Sequence, residues 1–169
     1  MNLNVSYSCS DSINDKIEYT EEFFEVVIED IFRYILDTDY VKNNLKIYNS
    51  LISNYEVVEL SLYLCDNEEI KYLNSKYRGI DSSTDVLSFP MSAEENLIDL
   101  PILHLGEIII SIEKLREQAK QNSHDEMHEM LYLISHGMLH LLGAHHETVE
   151  NYNNVVDLQN RVVEYITNR

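Results

Sequence analysis

The sequence predicts an α+β fold, a small mixed β-sheet packed with several helices. Three patterns predict it. Phe23, Phe24, Val27, Ile31, Tyr34 and Ile35 recur at three- and four-residue spacing, the signature of an amphipathic helix. Val58, Leu60, Leu62 and Leu64 alternate with more polar neighbours, as on a half-buried strand. Leu105 to Ser111 is a continuous, isoleucine-rich apolar run, which fits a central strand.

The elements follow in order. Thr20 to Asp37 reads as the amphipathic helix, and Asp39 to Ser53 as a second one. After the strand Val57 to Cys65, Asp66 as N-cap with Glu69 at N3 makes a capping box for a helix to about Lys76. Gly79 breaks it. Val86 to Phe89 is a short strand ended by Pro90, and Met91 to Leu103, acidic and containing Pro101, is a surface loop. Ser111 caps a helix through about Asn122, and Ser123 with Glu126 starts another that runs to Leu142. Thr148 caps a final helix towards Arg169. No repeat or linker divides the chain, so residues 1–169 are expected to form a single domain.

Composition narrows the function classes. The chain has 169 residues, 44% of them hydrophobic, enough to build a core without disulfides. Its two cysteines, Cys9 and Cys65, are far apart, so neither a disulfide framework nor a paired-cysteine metal site is expected. Met1 to Ser12 lacks the features of a signal peptide. The most apolar stretch, Met130 to Ala144, is interrupted by His136 and His140 and is too short to span a bilayer. A cytoplasmic protein with no membrane partner is expected. With 12 Lys and Arg against 30 Asp and Glu, the net charge is −18, which disfavours broad nucleic-acid binding. Lys71, Lys76 and Arg78, and separately Lys114, Arg116 and Lys120, are nevertheless clustered, so a local basic cleft on an acidic body is possible.

The chemistry concentrates in His136-Gly137-Met138-Leu139-His140-Leu141-Leu142-Gly143-Ala144-His145-His146. Two histidines four apart in a helix project from one face, one turn apart, and imidazole is a preferred zinc ligand. Gly143 suits the left-handed end of a helix, after which the chain can double back and present His145 or His146. Three protein ligands leave one tetrahedral position open, the catalytic rather than the structural arrangement. The zinc-protease helix carries glutamate directly after its first histidine as general base. Gly137 stands there instead, which disfavours peptide hydrolysis by that route.

Three blocks in order resemble a known family, the YbeY single-strand endoribonucleases of ribosomal RNA maturation. The histidine segment is similar to the family's His-Gly-x-Leu-His-Leu-x-Gly-Tyr-Asp-His. A second block is Leu73-Asn74, Tyr77-Arg78-Gly79, Asp81 and Thr84-Asp85-Val86-Leu87-Ser88-Phe89-Pro90. The third is Leu105-Gly106-Glu107-Ile108-Ile109-Ile110-Ser111 with Gln118-Ala119. The resemblance implies one Zn²⁺ held by His136, His140 and His146, and Arg78 as the functional arginine. It implies single-stranded RNA, ribosomal RNA above all, as substrate, with ribosome-associated proteins as possible partners. The departure is Ala144-His145, where the family has Tyr-Asp, so a candidate anionic partner for an imidazole is replaced by a neutral one or a rival ligand.

The alternatives are a zinc hydrolase of another substrate class, and a non-enzymatic ribosome-assembly factor with a structural metal. Asp85 and Ser88 read as cleft lining or as turn and strand-end residues. His124 and His128 read as solvated helix residues, and His104 as a loop residue. Tyr72 and Tyr77 could stack on unpaired bases, with packing the simpler reading.

Overall fold

The computed structural model describes residues 1–91, 101–144 and 148–169, the side chains at 50 and 52 excepted. Four strands form one mixed sheet, β1 (Asn2–Cys9), β2 (Val57–Cys65), β3 (Val86–Pro90) and β4 (Ile102–Ser111). Their spatial order is β1-β2-β4-β3. β1 and β2 run parallel, as do β2 and β4, and β3 closes the far edge antiparallel to β4. The helices are α1 (Glu21–Asp37), α2 (Asp39–Asn44), α3 (Ile47–Asn54), α4 (Asn67–Arg78), α5 (Ile112–Asn122), α6 (Glu126–Leu141) and α7 (Val149–Thr167). No helix among the described residues is long and apolar enough to cross a membrane. The α+β class with a small mixed sheet is the one expected.

Most caps fall where the side chains place them. Thr20 accepts from the amide of Phe23, Asp66 from Glu69, Ser111 from Lys114 and Thr148 from Asn151. Each satisfies one of the donors a helix start leaves open. The box at Asp66 is half formed, because the Glu69 carboxylate accepts the Tyr63 hydroxyl at 2.8 Å instead of reaching back.

Several expectations need correction. β1 was absent from the sequence reading, although Leu3, Val5, Tyr7 and Cys9 alternate with polar residues and are the half-buried side of the strand. The helix expected over Asp39 to Ser53 is two, broken at Leu45-Lys46. Ser123 does not start α6. It sits at φ 58° as the left-handed cap of α5, and Asp125 takes over as N-cap, accepting from the His128 amide at 2.7 Å. The loop placed over Met91 to Leu103 already becomes β4 at Ile102, and residues 92–100 lie outside the described residues.

The main core lies between the sheet and α1, α6 and α7. Val58, Leu60, Leu62 and Leu64 of β2 and Ile108 and Ile110 of β4 face Ile28, Ile31, Ile134, Met138, Leu158 and Val162 there. α4 covers part of the opposite face, where Ile70 meets Cys65, Leu87 and Ile109. Burying each such side chain contributes roughly 1.5–3 kcal/mol, so these contacts fix where the helices lie.

α6 packs tightly against the sheet at Gly137. A β-carbon there would fall 2.8 Å from Ile108 Cγ2 and 3.0 Å from Cγ1. This also explains the missing protease-type glutamate, since position 137 faces the sheet and a carboxylate there would be driven into the core. Gly137→Ala should therefore destabilise the protein. Overpacking costs about 1–3 kcal/mol, against about 1 kcal/mol gained in helix propensity. Thermal unfolding should show a fall of a few degrees, whereas an unchanged midpoint would mean that Ile108 yields freely.

Candidate functional site

β3 alternates as a strand must. Leu87 turns to the α4 side, leaving Val86, Ser88 and Pro90 to line a groove of about 250 Å³ opposite α6. From α6 come His136 and His140, whose ring centroids are 4.5 Å apart with planes inclined by 66°. Arg78, at the end of α4, reaches round the sheet edge and completes the lining. Three residues picked from the sequence thus share one groove.

Arg78 is held from two sides. Its Nη2 donates to the Ser88 carbonyl at 3.2 Å, and its guanidinium carbon lies 6.0 Å from the centre of the Phe89 ring. A guanidinium has five N–H donors, so one bond to Ser88 leaves most of the fork for a ligand. The loop before β3 is pinned too. Asn74, nearly fully buried, donates to the Ser82 carbonyl at 2.9 Å. Asp85 accepts from the Val86 amide, from Thr84 and from Gln118, so it organises the start of β3.

His136 has a partner the sequence reading missed. Gln159 of α7, 1% exposed, places its amide nitrogen 2.7 Å from His136 Nδ1. As placed, that nitrogen donates to Nδ1; the reversed amide, whose oxygen accepts Nδ1–H, is the one that would leave the Nε2 lone pair for an electrophile. The signal was available, since a polar Gln159 shares a buried stripe with Val155, Leu158, Val162 and Val163. Asn74 repeats the pattern one turn after buried Ile70.

α6 ends as a metal-binding helix would need. Gly143 adopts φ 90°, its amide donates to His140 O at 3.0 Å, and the Ala144 amide donates to Leu139 O at 2.9 Å. These are the two bonds of a Schellman stop, which turns the chain back with Ala144 buried. His145 and His146 lie outside the described residues. Among the described residues no group of three His, Cys, Asp or Glu side chains could hold a metal ion.

The remaining histidines belong elsewhere. His104 is within β4, not in a loop, and pairs with Glu59 at 2.7 Å. His124 precedes α6 and binds the buried Glu129 carboxylate, while its ring stacks on His128 at 4.3 Å. Neither is a simply solvated helix residue.

A family model described as Endoribonuclease YbeY matches residues 11–167. The chain belongs to the YbeY endoribonuclease family. A relative so named from Syntrophomonas wolfei is 39% identical over 157 residues, 90% of this chain and 92% of its own. Another from Clostridioides difficile is 41% identical, covering 83% and 84%. One from Caldanaerobacter subterraneus is 46% identical over 63% of this chain and 73% of its own. The solution structure of TM1509 from Thermotoga maritima superposes with a TM-score of 0.51 at 25% identity, over 96% of this chain and 87% of that one.

A larger cavity, about 470 Å³, lies on the open face of the sheet and includes Glu59, Ser61, Phe89, His104 and Glu107. Burial raises the Glu107 carboxyl above its ordinary pKa, because desolvation disfavours the charged form. The folded state thus holds its proton more tightly than the unfolded chain, and stability is lost as pH rises through the folded value. Glu107→Gln should be more stable than the parent in urea at pH 7, and the advantage should vanish at pH values below the ordinary carboxylate range.

Proposed function

We propose that this endoribonuclease holds one zinc ion through His136, His140 and His146 and cuts single-stranded RNA, ribosomal RNA above all, with Arg78 gripping the phosphodiester. One observation carries the reading. Two imidazoles one helical turn apart share a groove with an arginine anchored on the opposite wall.

The donor set fits a zinc ion. Neutral imidazoles suit it, and a third ligand after the Schellman stop would leave an open position. When bound, zinc supplies Lewis acidity and lowers the pKa of water. The chain's own residues do the rest. Gln159 fixes the ring plane and tautomer of His136. Arg78 orients a non-bridging phosphate oxygen pair and offsets the charge that builds there as the bond is attacked. Val86, Ser88 and Pro90 form the wall that keeps the strand alongside the histidines. Gly137 brings no carboxylate to this groove, so the aligned proton acceptor of a zinc protease is absent from that position. A net charge of −18 favours recognition inside this local cleft, or delivery by ribosome-associated proteins, over binding across the surface.

The purified protein should contain zinc, lose cleavage of single-stranded RNA on chelation and regain it when zinc returns. Cleavage that persists in metal-free protein would sink the proposal. His140→Ala should lose both zinc and activity. Arg78→Ala should retain zinc but lower kcat by about 10²–10³-fold, and Arg78→Lys should not restore it, since lysine lacks the planar fork. Gln159→Leu should weaken zinc retention against a competing chelator by about 10–100-fold. Unchanged retention would make the Gln159 contact merely structural.

A further inference from the structure

Tyr72 and Tyr77 of α4 are 61% and 59% exposed. Single exposed aromatics need no explanation, but these two flank one cation. Lys76 Nζ lies 5.7 Å from the Tyr72 ring centre and 5.0 Å from that of Tyr77. Tyr77 packs edge-on against Phe89 at 5.3 Å, and Phe89 lies beside the Arg78 guanidinium. Aromatic and basic groups therefore continue without interruption from the outer face of α4 to the histidine groove.

Charge along α4 is segregated in the same sense. Glu68 and Glu69 occupy its first turn, Lys76 and Arg78 its last. Lys71 is neutralised by Asp81 at 3.5 Å. Among the described residues the ion pairs engage seven of the chain's 12 Lys and Arg, but neither Lys76 nor Arg78. On a body of charge −18 this end of α4 is a basic spot beside the groove. Tyr72 and Arg78 are separated by about 9 Å along the helix axis and about 120° around it, so a strand gripped at Arg78 would reach Tyr77 first and Tyr72 by curving over the outer face of α4 past Lys76.

We propose that Tyr72 and Tyr77 form a stacking platform for unpaired bases of the RNA strand whose backbone Arg78 holds, with Lys76 facing a flanking phosphate. The proposal rests on the reading of the chain as a single-strand endoribonuclease. It supplies what that reading lacks, a reason for single strands to be preferred. A duplex keeps its bases stacked on one another, whereas free bases can stack on aromatic rings regardless of sequence.

The test uses the full chain loaded with zinc and a short single-stranded oligoribonucleotide. Tyr72→Ala should raise KM about 5- to 10-fold with kcat within about twofold, and Tyr77→Ala should do the same or more. Tyr72→Phe should keep KM within about twofold, because the ring is retained. Tyr72 is the decisive position, having no contact with Phe89 or Arg78 among those above. The chain has no tryptophan, so Tyr72→Trp creates a lone reporter whose emission should be quenched by the single strand and not by a duplex of the same sequence. An unchanged KM in the double alanine variant, or unquenched emission at saturating RNA, overturns the platform while the nuclease reading stands. If the unaltered chain cleaves no single-stranded RNA, both fall. If the alanine variants lose a protein partner while their KM for RNA is unchanged, the face is a protein-docking surface and the proposal is wrong.

Discussion

The contact between Gly137 and Ile108 sets the distance between α6 and the sheet, and the groove depends on that distance. A helix seated this close on β4 turns one face wholly into the core, with Ile134, Met138 and Leu141 buried. His136 and His140 then fall on the flank that looks towards β3. Had α6 stood off by the width of a methyl group, the same histidines would face β3 across a wider gap. The glycine that leaves no carboxylate after His136 is the one that brings the histidine face to its opposite wall.

The opposite wall is built with equal economy. β3 is five residues long and lies at the edge of the sheet, so its two faces serve different neighbours. Leu87 anchors it under α4 while Ser88 carries Arg78 on its carbonyl. The antiparallel ladder to β4 fixes its register, and Asp85 and Asn74 hold the preceding loop. Apolar burial seats α4, and these polar bonds hold the loop and strand against which its terminal arginine rests. Lys76 and Arg78 place positive charge at the end of α4 on an otherwise acidic molecule.

Three of the four strands and most helices were legible because their signals are local. Alternation at Val57 to Cys65, capping side chains at Asp66, Ser111 and Thr148, and the glycine stop at Gly143 each act within a few residues. That Arg78 of α4 and His136 of α6 line one groove was not legible from spacing, since they lie nearly sixty positions apart. The ordered family blocks supplied it. Ser123 shows how local rules compete. It fits an N-cap, yet α5 claims it for a left-handed end, and Asp125 supplies a better cap two residues later. β1 was overlooked although its alternation is regular, because its polar residues are small and its apolar ones few. Gln159 needed three dimensions, since only packing shows that its amide meets a particular imidazole.

The hydrogen bond between Gln159 and His136 has a consequence for how the molecule is made. α7 follows every other element of the groove in the chain, so it leaves the ribosome after α4, β3 and α6. Until α7 docks, His136 has not met the Gln159 amide, however well the sheet has formed. The Gln159 contact is therefore a late event in synthesis.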